Sequence, residues 1–524
     1  MSLTPNQARI VQATTDQCVL VNAGPGSGKT HVLVERYLHL ITKGGFQIPD
    51  VLVVTFTRKA ARELKERLAR RLLEAGRLET SLALETAWVT NFHGLCFRLL
   101  RENALVAGFE PASRVQDEVE AADVCQELRR EFLKGELAEE ALAAEEAGNP
   151  VPAAVVDRVG RAFDHSVQVL GRARENLLGA EEIVTVAANR LATLATELKL
   201  DEDALAQERA AHEYFGRCLP EVEARYEALK QKEALLDFVD LQTRAVDFLR
   251  SSAAARVRTQ FKVILVDEFQ DTNRVQLEVL RLLARPAYGN LMAVGDERQS
   301  IYAFRGARVQ NIRQLPDMAR AEGGDCLVLD LFESFRSYQE ILDVSTKALL
   351  AETETPDSDR SPLVSAALGP AEEDPYAARP VVRVLRCDTK EDEAERIADE
   401  ILARRGAPAV VVDPDGQRKT IPLQWGHFAI LLRSVGSVRA YEEAMRTRGI
   451  PYRTFGGTGF YDRREILDLL AYLQVVANPY DGLALIRVLQ QPPFGLSDRS
   501  LHRLMCYVHS TADLAMTGWC GDKD

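Results

Sequence analysis

At 524 residues the chain is too long for one hydrophobic core, so several domains are expected. With 46% hydrophobic and 27% charged residues it has the composition of an ordinary soluble globular protein, and no apolar run approaches a membrane span. Eight scattered cysteines form no C-x-x-C pair, which argues against a zinc ribbon or iron–sulfur cluster and for reduced thiols in a cytoplasmic chain. The formal net charge of −13 offers no global attraction for nucleic acid, so any such contact has to be a local groove.

Up to about residue 100, strands alternate with helices. "CVLVN" begins at Cys18, "VLVVTF" runs from Val51 to Phe56, and "AWVTNF" from Ala87 to Phe92, the βαβ rhythm of a parallel sheet. Between the first strand and a helix over "THVLVERYLHLIT" stands "AGPGSGKT", Ala23 to Thr30. Strand, Gly-rich loop and helix are what a phosphate site requires. Backbone N–H groups around Gly26, Ser27 and Gly28 converge there, and the helix N-terminus adds positive partial charge. Lys29 is placed to reach the β- and γ-phosphates and the Thr30 hydroxyl to hold Mg²⁺. Ala23 occupies the position where the G-x-x-x-x-G-K-[ST] pattern has its first glycine.

From about 101 to 235 the strand rhythm stops and the chain turns helical. Glu131 to Pro150 carries six Glu against one Lys, a solvated acidic segment. The rhythm resumes with "FKVILVDEFQDTN" (Phe261–Asn273) and "LMAVGDERQSIYAFRGA" (Leu291–Ala307), so the helical block reads as an insertion into one α/β domain. "CLVLDL" (326–331), "VVRVLR" (381–386) and "FAILLR" (428–433) suggest strands of a second α/β domain, with loops at 352–362 and 369–380.

The strand "ILVDEFQD" ends in Asp267 and Glu268. In a parallel sheet both emerge at the carboxyl edge, beside the phosphate loop. Asp267 is placed to hold Mg²⁺, and Glu268 to polarise an attacking water as general base. Taken with Lys29 and Thr30, this pair reads as a Mg–NTP hydrolase.

"AGPGSGKT", "TFTRKAARELKERL", "NFHGLCFRLLRE", "LLDFVDLQ", "LVDEFQDTN", "VGDERQSIYAFRGA", "ESFRS" and "YRTFGGTGFYDRREILDLLAYLQVVANPYD" occur in that order. The set resembles the UvrD/Rep/PcrA family of superfamily-one DNA helicases, from Leu3 to about Arg499. The resemblance implies a P-loop NTPase of the α/β class with two RecA-like domains and helical inserted domains. Its parts are a first RecA-like domain over 1–100 and 236–306, a helical insertion over 101–235, the N-terminal part of the second RecA-like domain over 307–454, and the start of a second inserted domain over 455–524. It implies ATP and Mg²⁺ as cofactors, with Gln7 reading adenine and residues Ala23, Gly24, Pro25, Gly26, Ser27, Gly28, Lys29 and Thr30 cradling phosphates. Phe335 would stack on adenine, Arg336 would reach the γ-phosphate, and Gln299 would sense it. Ser334 replaces the family's usual Asn.

Partners implied are single-stranded DNA and single-strand/duplex junctions, with 3′→5′ movement and a role in repair or replication. Phe56, Tyr302 and Phe304 fall on positions that stack bases, each worth about 1–3 kcal/mol. His93 and Arg305 fall inside matched motifs as DNA-contact positions, His93 for phosphate contact or domain wiring, and Arg58, a further candidate for phosphate, replaces the family's usual Asn. Arg58, Arg62 and Lys65 share one helix face, although Glu63 and Arg67 on that helix form a competing i,i+4 pair.

Two later family motifs, resembling T-x-H-x-x-K-G-L-E and Y-V-A-x-T-R-A, have no match; "LMCYVHSTADLAM" (504–516) lacks the needed arginine. The expectation is a second RecA-like domain left incomplete, in a truncated, frameshifted or split member, completed by a second polypeptide or by self-association. Two alternatives stand beside the helicase: a non-motor module binding ATP and single strands, and the motor part of an AddA- or RecB-like helicase–nuclease.

Overall fold

The computed structural model describes residues 3–110, 113–116, 118–138, 141–142, 151–197, 202–352, 363–366, 382–412, 418–455, 464–477, 482–497, 499–501 and 503–504. They fall into two compact units, one ending at Val382 and the other beginning at Arg383. Most of "FGGTGFYDRREI" and nearly all of "LMCYVHSTADLAM" lie outside the described residues.

Six strands make the sheet of the first unit: β1 (Cys18–Ala23), β2 (Val51–Thr55), β3 (Trp88–Asn91), β4 (Val263–Val266), β5 (Leu291–Gly295) and β6 (Cys326–Leu331). They are all parallel, in the order β3-β2-β4-β5-β1-β6. The register pairs Val21 with Val294 and Val54 with Val266. Successive residues enter opposite cores, which is why these strands read as unbroken apolar runs. Val19, Val21, Val53 and Leu265 pack with helices α1 (Pro5–Val11), α2 (Lys29–Thr42) and α3 (Arg58–Glu74). Leu20, Leu52, Ile264 and Val266 pack on the other face, which α4 (Phe92–Glu102) begins to cover.

The chain then leaves the sheet through α5 (Glu118–Glu136), α6 (Ala153–Arg174), α7 (Ala180–Glu197) and α8 (Glu202–Lys232). These inserted helices have their own core of Leu128, Phe132, Val159, Phe163, Leu219 and Val222. Burying one such side chain is worth about 1.5–3 kcal/mol, so the block is held by its own apolar surface. Helices α9 (Phe238–Arg250), α10 (Arg274–Leu283) and α11 (Gln310–Ala321) complete the second face of the sheet.

Two expectations change here. Strand 326–331 pairs with β1 in this sheet and does not open a second one. The first unit accordingly runs past the boundary expected at 306, with Ile312, Leu315 and Ala319 in its core. The strand alternates in burial, as an edge strand does, and nothing in such a pattern names the sheet it joins.

The second unit contains an antiparallel pair, β7 (Pro408–Val412) and β8 (Arg418–Pro422). Of the expected strands 381–386 and 428–433, the described residues 382–386 and 428–433 form none. Phe428, Ile430 and Leu432 instead pack on α12 (Lys390–Arg404) and α13 (Val438–Thr447), while Leu431 faces outward. The period of two is present without a neighbour to pair with. Helices α14 (Arg464–Ala477) and α15 (Gly482–Gln490) follow. No described helix is long and apolar enough to cross a membrane.

Candidate active site and strand-binding loop

From the end of β1 the chain turns through Gly24–Gly28 into α2. Gly26 has φ 74° and Gly28 φ 84°, the left-handed region that disfavours any side chain. Space closes both positions as well. A Cβ on Gly26 would lie 2.6 Å from Arg336 Cβ and 2.7 Å from Ser334 Oγ, and one on Gly28 would lie 3.2 Å from Gln7 Nε2. The loop is pinned from inside and outside. Ser27 Oγ donates to the Gly24 carbonyl at 2.8 Å, the Gly24 N–H to the Leu331 carbonyl at 3.0 Å, and the Phe335 N–H to the Gly26 carbonyl at 2.9 Å. Phe335 and Arg336 are therefore brought to the loop directly after β6. Gly28 is the N-cap of α2, and no side chain caps that end. A concave run of backbone with an uncapped helix start fits a phosphate chain.

Gln7 is buried and uses both ends of its amide. It closes a capping box with Thr4, and its Nε2 donates to the Ser27 carbonyl at 3.3 Å. The residue expected to read adenine thus also braces the loop.

Lys29 and Thr30 open α2. The Lys29 ammonium donates to Glu268 Oε2 at 3.3 Å and to Gln299 Oε1 at 3.2 Å. Gln299 in turn donates to Asp296 Oδ2 at 2.7 Å. Gln270 donates to Glu268 Oε2 at 2.8 Å and accepts the Asp296 N–H at 2.9 Å. Glu268 holds φ 52°, ψ 44°, a strained left-handed conformation costing on the order of 1 kcal/mol, at the point where its carboxylate meets Lys29.

The charge balance around Lys29 is uneven. Burial, then the neighbouring Glu268, pushes the Asp267 carboxyl up to about 6, with Lys29 opposing. Burial and Glu268 likewise raise Asp271 to about 6, and burial raises Asp296. One Asp271 oxygen is buried without a partner. Several carboxyls facing one ammonium, next to a phosphate cradle, are a donor set that suits a divalent cation. Asp267 and Thr30 are the residues that would hold it.

The aromatic candidates meet at the same edge of the sheet. The Phe56 ring, just after β2, lies 4.5 Å from that of Tyr302, and Tyr302 lies 5.9 Å from Phe304. Phe304 is 66% exposed, too open for a core residue and suited to stacking on a base. The Arg305 guanidinium sits 5.6 Å from the Tyr302 ring centre and 5.7 Å from that of Phe304. Arg58, at the start of α3, is exposed.

His93 stands differently. Its ring packs 4.8 Å from Phe238, and its Nε2 is 2.8 Å from the Gln242 side-chain nitrogen. Burial, then Arg58, lowers its pKa to about 4, so it is neutral at pH 7. Of the two roles read for it, internal wiring between α4 and α9 is the one these contacts support. On α3, Lys65 is tied to Glu85 at 3.0 Å, and Glu63 faces Lys59 at 3.9 Å.

Sequence reasoning gave no role to Gln270, Asp296, Phe238 or Gln242. All four lie inside motifs noted above, the first two in "LVDEFQDTN" and "VGDERQSIYAFRGA" and the last two in "LLDFVDLQ"; for Gln270 and Asp296, polarity beside an apolar strand was the available signal. It also missed a buried charge cluster at the root of the insertion. Lys230, only 1% exposed, pairs with Asp240 at 2.7 Å, Glu227 at 2.9 Å and Asp237 at 3.1 Å. Arg174 joins the same Asp237 and Asp240.

The family model described as UvrD/REP helicase N-terminal domain matches residues 3–319, and that described as UvrD-like helicase C-terminal domain matches residues 329–523. An ATP-dependent DNA helicase PcrA of Staphylococcus epidermidis is 28% identical over 498 residues, which cover 94% of this chain and 56% of that protein. An ATP-dependent DNA helicase UvrD1 of Mycobacterium tuberculosis is 30% identical over 522 residues, 97% of this chain and 57% of that protein. The chain thus spans a little more than half the length of the relatives it matches. With the first model covering well over half of the sequence, and with the loop, carboxylates and aromatics gathered at one sheet edge, the chain belongs to the UvrD/REP helicase family.

Proposed function

We propose that this protein uses ATP hydrolysis to move 3′→5′ along single-stranded DNA and to open single-strand/duplex junctions, in repair or replication. The observation that carries the reading is the Lys29–Glu268–Gln299 constellation, because Gln299 and the exposed Phe304 share one short loop after β5. A change at the phosphate end of that loop is felt at its aromatic end.

When bound, Mg–ATP supplies the phosphoanhydride to be cleaved and a dication that offsets its charge. The residues of this chain do the rest. Gly24–Gly28 and Lys29 hold the phosphates, Thr30 and Asp267 hold the metal, and Phe335 and Gln7 flank the base. Glu268 orients water and accepts its proton, and Arg336 faces the charge that develops on the γ-phosphate, a role worth a factor of about 10³ or more in rate. Phe56, Tyr302 and Phe304 stack bases of one strand irrespective of sequence, and Arg58 and Arg305 hold its phosphates. The polarity and the junction preference rest on the family alone.

The test is ATP hydrolysis by the purified chain with and without oligo-dT, beside Lys29→Ala and Glu268→Gln. Strand-stimulated turnover abolished in both variants supports a motor. Nucleotide and strand binding without turnover in the unmodified chain overturns it in favour of a non-motor binding module.

A further inference from the structure

Gln270 follows Glu268 by two residues and is only 1% exposed, yet both polar atoms of its side-chain amide are engaged. Nε2 donates to Glu268 Oε2 at 2.8 Å and, more weakly at 3.4 Å, to Asp271 Oδ2. Oε1 accepts the Asp296 N–H at 2.9 Å. Only one orientation of the amide serves these partners. Carboxylates accept and a backbone N–H donates, so turning the amide over would lose all three bonds. Space holds it there as well, since a Cβ on Gly295 would lie 2.6 Å from Gln270 Oε1. Ser300 Oγ donates to the Gln270 carbonyl at 3.4 Å. One buried residue thus meets both ends of the segment 296–300, which contains Gln299 and leads on to Tyr302 and Phe304.

The same amide makes the two oxygens of Glu268 unequal. Oε2 takes both the Lys29 ammonium, at 3.3 Å, and Gln270 Nε2. Oε1 takes no hydrogen-bond donor among the described residues, and the side chain is 36% exposed, open to an approaching water. A proton abstracted from that water goes to Oε1, because two donors already occupy Oε2. Lys29 also joins Glu268 to the segment, through Gln299, but its ammonium is the group that phosphates claim. The amide of Gln270 carries no charge and has no such competitor.

We propose that Gln270 is a positioning residue that couples hydrolysis to strand binding: its buried amide holds Glu268 by Oε2, leaves Oε1 to take the proton, and ties that carboxylate to the loop bearing Phe304. The inference rests on the hydrolytic and strand-binding roles proposed above. Gln270 touches no substrate itself and acts through Glu268 and Asp296.

Two variants of the full chain test this. Gln270→Met removes both bonds at similar length, and Gln270→Glu keeps an acceptor for Asp296 but offers Glu268 no donor. Strand-stimulated turnover at saturating oligo-dT should lose about tenfold in kcat in both, with KM for ATP unchanged, as expected when a hydrogen bond to a charged group is removed at the reacting carboxylate. Oligo-dT anisotropy with and without Mg–AMPPNP, a non-hydrolysable ATP analogue, supplies the second readout. The unmodified chain should change its strand Kd by about fivefold or more when the analogue binds. Q270M should bind oligo-dT as tightly without nucleotide and lose that change. Undiminished kcat in both variants overturns the inference and leaves the reading above intact. So does a fall in kcat accompanied by a raised KM, which marks general damage to the pocket. A nucleotide-dependent strand Kd preserved in Q270M, or absent from a chain that does turn over ATP, overturns the coupling. An unmodified chain that hydrolyses no ATP overturns both readings together.

Discussion

At the scale of single residues, the sheet edge is organised by side chains that do two things at once. Gln7 caps a helix and braces the phosphate loop, and Gln299 takes Lys29 on one side and Asp296 on the other. His93 shows how burial chooses between roles. A histidine in a DNA-contact motif invites reading as a phosphate-binding cation, but a pKa of about 4 keeps it neutral wherever the strand is bound near pH 7. The consequence for stability has a definite sign. The unfolded imidazole protonates near 6.5 and the folded one only near 4, so the stabilisation is complete above 6.5 and is lost as pH falls from 6.5 to 4. The loss amounts to as much as about 3 kcal/mol. Urea unfolding of the unmodified chain should show stability falling between pH 7.5 and pH 5, and His93→Gln should flatten that part of the decline. An identical decline in the variant assigns it to other groups.

At the scale of elements, legibility followed how local the physical requirement was. The tight turn at Gly24–Gly28 could be read because its demand is stereochemical: Gly26 and Gly28 adopt positive φ with neighbours closing the Cβ space, and few residue types satisfy both. Asp267 and Glu268 could be read because they end a wholly apolar strand. The destination of β6 could not, since "CLVLDL" carries the pattern of an edge strand and its partner lies three hundred residues away. Residues 428–433 misled for a related reason, having a strand's alternation but packing on helices without a ladder. The charge cluster at the root of the insertion could not be read either, because only the fold brings Arg174, Lys230 and Asp240 together. Lys230 is almost fully buried among Asp237, Asp240 and Glu227, so removing its charge leaves the buried Asp240 carboxylate with Arg174 as its remaining cationic partner among the described residues. Lys230→Ala should cost about 3–5 kcal/mol, read as a lowered urea midpoint, whereas a surface ion pair such as Lys65–Glu85 is worth under about 1 kcal/mol. A loss for Lys230→Ala as small as that for Lys65→Ala would mean that the cluster does not hold the insertion in place.

At the scale of the whole molecule, the proposed strand binding asks an acidic chain to hold a polyanion, and that predicts a particular salt response. The net charge of −13 repels DNA at long range, so affinity has to come from short-range contacts. At the sheet edge the candidates for these contacts are three aromatic rings, whose stacking is indifferent to salt, and a small number of cations. Arg58 and Arg305 are available there, whereas His93 is neutral and Lys65 is held by Glu85. Each phosphate neutralised on a single strand contributes about −0.7 to the slope of log K against log salt, so two contacts give a slope of about −1.4. Oligo-dT titrations from low to moderate salt should therefore yield a shallow line whose high-salt remainder is lost on Phe304→Ala. A slope steeper than about −4 would place about six or more phosphates on the protein and require a basic track away from this edge. A shallow slope that Phe304→Ala leaves at full strength would remove stacking as the source of affinity. Either result bears on the whole molecule, because it says whether the groups at this one sheet edge are sufficient to hold the strand.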